Sequence, residues 1–279
     1  MSIIRKFFMK YYLLTVYFLY FSTAFGQNPV QGQVRAPQPV KVIGSPNINH
    51  HGDPPYLLEE GWIPLINGVD MKGWKYLDEQ KAGSWTAAKG VFWDQVAEPK
   101  SLKAVSGDGD RLVNLPFEGG AGNIISTETV GNMELYVEFM IPEGSDAGVY
   151  VHGLYELQIW DSYGIEPRLQ ASKTGTLTYY NNRQDAVFPL LRAEKPHGQW
   201  NAFHIWFQAP KFDTSGEKIE NAKFLRVLLN GELIHENQER IEGAHACPEI
   251  PEATKNPVVM LQGGYGPVAF RNIYVKHLF

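Results

Sequence analysis

Residues 148–164 contain two short runs in which apolar and polar residues alternate, and this alternation limits what the chain can fold into. Val149 and Val151 precede a break at Gly153, and Leu157 and Ile159 follow it. Because successive side chains of a strand point to opposite faces, a period of two predicts two strands that each bury one face. The stretch therefore predicts a β-hairpin whose apolar side faces a core.

The register of this hairpin decides which polar side chains meet. A three-residue loop over residues 153–155 keeps the four apolar residues on one face, and it pairs His152 with Glu156 and Tyr150 with Gln158. The polar face then holds an imidazole, a carboxylate, an amide and an aromatic ring, which together suit a sugar site. The solvent-facing side of an ordinary hairpin is the alternative interpretation, and the hairpin alone does not choose between the two.

The rest of the chain repeats the pattern of short strands and turns. Residues 133–141 alternate strictly, and residues 200–208 place His204 on a polar face, where we expect a buried structural histidine. Asn230 followed by Gly231 is a strong hairpin-turn signal. No stretch of twelve or more residues shows a helical period. These features predict an all-β fold, either a β-sandwich or a jelly roll.

The first 58 residues do not follow this pattern. Residues 1–26 combine a basic start with an aromatic-rich apolar run and a small-x-small cleavage site, which predicts a signal peptide. Residues 27–58 contain six prolines and predict a linker or an extended arm. We predict that residues 59–279 form the folded domain. The mature protein is then periplasmic or secreted by a bacterium, with no membrane anchor after signal cleavage.

Charge and cysteine content exclude several classes of function. The formal net charge is -5 and no run of Lys or Arg occurs, so we do not expect a nucleic-acid partner. The glycine-rich residues 119–122 lack the lysine of a phosphate loop. The one cysteine, Cys247, can form neither an intramolecular disulfide nor a cysteine zinc site. No pattern in the sequence indicates an oligomeric state.

Five blocks of sequence occur in a familiar order. They read GWIPLINGVDMKGWK, GVYVHGLYELQIWDSYG, EKPHGQWNAFHIWFQAPKFD, VLLNGELIHEN and PVAFRNIYV. Together they resemble the 3-keto-disaccharide hydrolase domain family, formerly domain of unknown function 1080, over roughly residues 61–279. The resemblance implies a concanavalin A-like jelly-roll β-sandwich. It also implies an enzyme that cleaves 3-keto-glycosides or 3-keto-disaccharides, with an oxidised oligosaccharide or glycoside as its partner.

The implied chemistry is elimination followed by hydration. A ketone at C3 acidifies the C2 proton, so a general base can remove it, and the resulting enolate expels the aglycone from C1. Water then adds to the enone, and the net result is cleavage of the glycoside. Such a site needs a base with a pKa near 7 and a hydrogen-bond donor at the enolate oxygen.

The blocks also suggest which residues form the site. We predict His152, Glu156 and Asp161 as catalytic residues, with Tyr150, Gln158, Trp160, Lys173, Arg183, Gln262 and Arg271 as substrate-binding residues. His152 and Glu156 are candidate ligands of a divalent metal ion. The sequence indicates no other cofactor. Arg271 either holds a sugar or enolate oxygen or braces the last strand. The Asp and His that often follow Gln262 in the family are replaced by Gly263 and Gly264.

Two other functions fit the same residues. The missing Asp and His after Gln262 favour a non-catalytic, lectin-like carbohydrate-binding module. Glu156 and Asp161 could instead serve a conventional β-glucanase. However, Gln158 occupies the position where laminarinase-like enzymes of this fold have a carboxylate, and this difference argues against a two-carboxylate mechanism.

Overall fold

The computed structural model describes Leu57 and residues 59–115, 122–165, 173–178, 186–241, 243 and 250–278. The predicted signal peptide, nearly all of the predicted linker, Cys247 and Arg183 lie outside these residues. In the part that the model describes, the strands are β1 (Trp62–Pro64), β2 (Trp74–Tyr76), β3 (Trp85–Ala88), β4 (Gly90–Phe92), β5 (Lys103–Val105), β6 (Arg111–Asn114), β7 (Ile124–Thr129), β8 (Met133–Met140), β9 (Asp146–Val151), β10 (Tyr155–Trp160), β11 (Asn201–Gln208), β12 (Lys211–Phe212), β13 (Lys218–Glu220), β14 (Ala222–Leu229), β15 (Glu232–Arg240), β16 (Val258–Leu261) and β17 (Val268–His277).

Two antiparallel sheets make up most of the fold. The larger sheet has eight strands in the order β15–β14–β11–β8–β17–β6–β3, with β1 paired to β17. The smaller sheet has the order β10–β9–β16–β7–β2. A short 3-10 turn covers Glu79–Lys81, and no helix among the described residues is long and apolar enough to span a membrane. The predicted all-β, jelly-roll sandwich is confirmed.

The core lies between the two sheets and is built from alternate residues of each strand. Leu135, Val137 and Phe139 of β8 are at most 1% exposed, and Val149 and Val151 of β9 are fully buried. Burying such a side chain stabilises the fold by about 1.5–3 kcal/mol relative to leaving it in water. The alternation predicted for residues 133–141 and 148–151 is therefore confirmed, and it assigns the remaining residues of these strands to the outer faces.

The outer faces are more buried than alternation predicts. Tyr136, Glu138 and Met140 point away from the core of the larger sheet, yet each is only 5–7% exposed. On the smaller sheet, Tyr150 and Met260 are also outward-facing and at most 1% exposed. Buried polar groups need hydrogen-bond partners, so each outer face contains a hydrogen-bonded polar network. Each of these networks is a candidate functional site.

The turn between β14 and β15 has the predicted two-residue form. Leu229 pairs with Glu232, and Asn230 and Gly231 between them have φ angles of 54° and 89°. A type I′ turn requires positive φ at both central residues, which Asn and Gly tolerate best. This turn places the Asn230 side chain beside β11, where its oxygen accepts a hydrogen bond from the Ala202 backbone at 2.9 Å.

The strand β17 joins otherwise separate parts of the larger sheet. It pairs with β8 on one side and β6 on the other, and its C-terminal half also pairs with β1. Between Arg271 and Tyr274 the register shifts, and Asn272 there has a φ of 49°. At this β-bulge the Asn272 side chain reaches the outer face beside Arg271, where its Nδ2 donates to Glu138 Oε1 at 3.2 Å.

Candidate active site

The hairpin of β9 and β10 has a different register from the predicted one. Tyr150 pairs with Glu156 and Val151 with Tyr155, so the loop is residues 152–154 and not 153–155. The predicted pairings of His152 with Glu156 and of Tyr150 with Gln158 are therefore wrong. His152 is itself a turn residue with a φ of 59°. Because each partner moves by two positions, the paired residues of β9 and β10 keep their predicted faces, whereas His152 leaves the ladder.

Glu156 lies on the outer face of β10 and is 7% exposed. Its carboxylate accepts hydrogen bonds from the hydroxyls of Thr178 and Tyr150. Burial raises the pKa of Glu156 to about 7, and the charge of Asp146 adds to this rise. The two hydroxyls and the charge of Arg240 act in the opposite direction but do not cancel the effect of burial. Glu156 is thus a carboxyl that changes charge near neutral pH.

Tyr150 and Gln262 extend this site across three adjacent strands. The Gln262 amide nitrogen donates to the Tyr150 hydroxyl at 2.9 Å, and Tyr150 in turn bonds to Glu156. The backbone nitrogen of Gln262 donates to the Gly148 carbonyl at 3.0 Å, and this bond holds the Gln262 backbone against β9. The structure therefore brings together three of the predicted site residues from β9, β10 and the end of β16.

Gly148 leaves the space that the Glu156 carboxylate occupies. A Cβ atom at this position would lie 2.5 Å from Glu156 Oε1 and 2.9 Å from Tyr150 Cε2. Both distances are shorter than non-bonded atoms normally allow. The need for a glycine here is visible in the sequence, because the alternation predicts an outward-facing polar side chain at position 148 and the residue is Gly148.

Gln158 lies beside this group but is occupied by structural contacts. Its amide nitrogen donates to Asp146 Oδ1 at 2.5 Å and to the Ala147 carbonyl at 3.0 Å. Two further members were not predicted: Thr178, and Arg240, which is fully buried and donates to the Thr178 carbonyl. These two residues are 62 positions apart in the sequence, so no local pattern could have identified them.

His152 belongs to a different cluster. Its Nε2 lies 3.0 Å from the Glu252 carbonyl oxygen, and its ring is 6.0 Å from that of Tyr155, which faces the core beside Phe207. The Tyr155 hydroxyl donates to the Glu252 carboxylate, and Lys218 binds the same carboxylate at 3.0 Å. Burial lowers the pKa of His152 and raises that of Tyr155, so both are neutral at pH 7.

The predicted shared metal site of His152 and Glu156 does not fit this arrangement. Glu156 lies on the outer face, whereas His152 contacts Tyr155 on the core side. Among the residues that the structure describes, no group of three or more His, Cys, Asp or Glu side chains could hold a metal ion. The described residues therefore do not form a metal centre around Glu156, and we derive no chemistry from one.

Three more predicted residues lie at the far end of β10. Asp161 follows the strand, roughly 16 Å along the chain from Glu156 at 3.3 Å per residue. Its carboxylate accepts from the Gly144 backbone at 2.7 Å and lies 3.2 Å from His197 Nδ1. The Trp160 backbone nitrogen bonds to Thr174, and the Lys173 ammonium lies 5.4 Å from the centroid of the Phe188 ring. The structure does not bring this group to Glu156.

Arg271 lies on the opposite side of the sandwich. It belongs to the outer face of the larger sheet, where its Nε donates to Glu138 Oε2 at 2.6 Å. The expectation that Arg271 shares a site with Glu156 is therefore wrong, because alternation fixes the face of a strand but not which sheet it joins. The alternative, that Arg271 braces the last strand, agrees with its bond across β17 and β8. His204 lies on the same outer face, 2.7 Å from Glu134 Oε1, and is only partly buried.

Comparisons with known proteins support the fold and identify the family. One similar crystal structure, a "putative glycosyl hydrolase" from Parabacteroides distasonis ATCC 8503, has 19% identity and a TM-score of 0.55, covering 78% of this chain and 84% of that one. A second from the same organism has 18% identity and a TM-score of 0.49, covering 79% and 95%. A comparison with curated proteins gave no match.

The family assignment rests on a match along nearly the whole folded region. The model of the 3-keto-alpha-glucoside-1,2-lyase-like domain matches residues 61–276, which include every strand described above except the last residue of β17. The first of these crystal structures agrees with this match in fold, although an identity below 20% carries no information on substrate. The chain belongs to the 3-keto-alpha-glucoside-1,2-lyase-like family and is a carbohydrate-active enzyme.

Proposed function

We propose that this enzyme cleaves 3-keto-glycosides or 3-keto-disaccharides by elimination and hydration, with Glu156 as the general base. The observation that most directly supports this proposal is the buried carboxyl of Glu156, whose pKa is raised to about 7. A base with a pKa near the working pH is available in its charged form and still binds a proton strongly. An ordinary surface glutamate, with a pKa near 4, would be a far weaker base toward a C2 proton.

Glu156 accepts one proton early in the reaction and donates it again in a later step. Glu156 removes the C2 proton, and the electron pair of the C2–H bond forms the enolate of the C3 ketone. The enolate then expels the C1 oxygen of the aglycone, to which protonated Glu156 returns the proton. Water adds across the resulting enone to give the free 3-keto-sugar. The neutral hydroxyls of Thr178 and Tyr150 donate to this base, and Gln262 donates to the Tyr150 hydroxyl at 2.9 Å.

A conventional glycosidase mechanism has less support from this geometry. It requires two carboxyls that flank one glycosidic bond, about 5–10 Å apart. Asp161 is tied to Gly144 and His197 at the strand end, and Asp146 is held by the Gln158 amide. The contacts of these two carboxyls therefore favour structural roles.

A binding module without catalysis is the second candidate, and one observation favours it. A Cβ atom at Gly263 would lie 2.9 Å from Asn114 Nδ2 and 3.0 Å from the Gly122 carbonyl oxygen. The position at which the family often has an aspartate is therefore filled by neighbouring atoms. If that aspartate is essential to the chemistry, this chain binds oxidised sugars without cleaving them.

Aglycone release from a synthetic 3-keto-glucoside separates these candidates. We expect release by the wild-type protein, with kcat/KM rising with pH around 7, because Glu156 must be deprotonated to act. Glu156→Gln should lower kcat by about 10²–10⁴-fold, the usual contribution of a general base. Glu143→Gln, an exposed glutamate in the loop before β9, is the matched control and should keep full activity.

Other outcomes of this assay point elsewhere. Binding of the keto-sugar without release, with or without chelator and added divalent ions, would identify a binding module. Release from an unoxidised glucan would identify a glucanase. Full activity in Glu156→Gln would remove Glu156 from the mechanism.

A further inference from the structure

The outer face of the larger sheet holds a second groove, on the opposite side of the sandwich from Glu156. Its volume is about 490 Å³, and its walls come from β8, β11, β17 and the β14–β15 turn. Glu138, Lys195, Trp200 and Arg271 line it and supply its charged and aromatic groups. A groove of this size accommodates one or two sugar rings, since typical small-molecule sites measure about 300–1,000 Å³.

The unsatisfied polar groups of this groove are hydrogen-bond donors. Arg271 uses Nε for Glu138, and in the described part of the chain its two terminal nitrogens donate no hydrogen bond. The Trp200 indole nitrogen likewise has no acceptor among the described residues. The Lys195 ammonium donates one bond, to the Trp200 carbonyl at 2.9 Å, and no carboxylate within the described ranges pairs with it.

The acceptors of the groove, by contrast, are already used. Glu138 is 7% exposed and accepts from the Tyr136 hydroxyl at 2.9 Å, from Arg271 at 2.6 Å and from Asn272 Nδ2 at 3.2 Å. His204 is engaged by Glu134 at 2.7 Å. The groove therefore offers two cations and an indole N–H to a ligand, opposed by one carboxylate whose charge Arg271 already balances.

We propose that this groove binds an anionic sugar unit, a uronate or a sulfated sugar, as a second carbohydrate site separate from Glu156. A carboxylate or sulfate group supplies the paired oxygens that a guanidinium binds in bidentate fashion. The Arg271 guanidinium is held 4.2 Å from the centroid of the Trp200 ring and by Glu138, so its orientation is fixed before the ligand arrives. Lys195 at the rim adds attraction without a preferred geometry.

Titration calorimetry with the full chain and three defined trisaccharides tests this site: an oligogalacturonate, a sulfated galactan fragment and a neutral glucan fragment. We expect the anionic sugars to bind and the neutral one to bind at least tenfold more weakly, with the difference shrinking as salt is raised. The stronger of the two anionic sugars identifies whether carboxylate or sulfate is preferred. Equal affinity for all three sugars, or no binding of either anion, would overturn the proposal.

Two variants locate the binding to this groove. Lys195→Ala and Trp200→Phe should each weaken binding of the anionic sugar by about tenfold, as expected for losing one charge-assisted donor. Lys211→Ala removes an exposed lysine that is paired with Glu220 at 2.8 Å, and it should change nothing. Glu156→Gln should bind the anionic sugar as wild type does, whatever its effect on keto-sugar cleavage. Unchanged affinity in both Lys195→Ala and Trp200→Phe would contradict the assignment.

Discussion

Glu156 and Glu138 occupy equivalent places on the two outer faces, yet their surroundings are opposite. Each is 7% exposed and each lies on the side of its strand that faces away from the core. Glu138 is bonded directly to the Arg271 guanidinium, whereas the bonds to Glu156 come from the neutral hydroxyls of Thr178 and Tyr150. The Arg271 guanidinium compensates the charge of the Glu138 carboxylate and orients it. Within the described chain Glu156 has only neutral hydrogen-bond donors, and burial raises its pKa to about 7, so it exchanges a proton near pH 7 and can act as a base.

The comparison predicts its largest effect at the charged pair. Arg271→Ala leaves Glu138 buried without its cation, and we expect the free energy of unfolding to fall by about 3–5 kcal/mol. Urea denaturation at pH 7 measures this loss. Arg226→Ala is the matched control, because this exposed arginine lies 5.4 Å from the Trp206 ring centroid and should contribute about 1 kcal/mol or less. Equal losses in the two variants would show that the Arg271–Glu138 pair contributes no more to stability than an exposed arginine does.

The proton equilibrium of Glu156 predicts the next largest effect. Its pKa is about 7 in the folded chain and close to the ordinary 4.5 when unfolded, so the folded state binds the proton more tightly. Stability therefore falls as pH rises from 4.5 through 7, by about 3 kcal/mol in total. In Glu156→Gln this part of the pH dependence should be absent. We would measure unfolding free energies of both proteins at pH 5 and pH 8; a parallel pH response would show that Glu156 titrates normally.

The space at Gly148 predicts a smaller effect on stability. In Gly148→Ala the added methyl group pushes Glu156 and Tyr150 apart, so we expect a loss of about 1–3 kcal/mol. Aglycone release should drop by about tenfold or more, because the base moves relative to the C2 proton. Gly131→Ala is the control, since a Cβ atom there meets nothing within 4 Å. A Gly148→Ala protein with wild-type melting and activity would show that the carboxylate position is not constrained.

Local alternation was sufficient to predict much of the fold. It identified the buried faces of β8, β9 and β10, and Asn230 with Gly231 identified the hairpin turn. The register of β9 and β10 was missed because it depends on the left-handed backbone of His152 in the loop. Alternation cannot distinguish the two registers, since a shift of two positions leaves each paired residue on the same face of the sheet.

The site was only partly predictable for a related reason. Glu156, Tyr150 and Gln262 could be proposed from the resemblance to a family. Arg240 and Thr178 meet only when β15 folds against the segment beyond β10, which no local pattern encodes. Arg271 was assigned to the wrong face of the molecule, because its pairing with Glu138 joins positions 133 residues apart.

The position of β17 has a consequence for the order in which the fold forms. Without β17 the larger sheet separates into β15–β14–β11–β8, the pair β6–β3 and the lone strand β1. These pieces leave the ribosome before Val268 does, so during synthesis they present open strand edges that nothing yet covers. Sheet closure is therefore a single late event that joins segments distant in sequence, which slows folding.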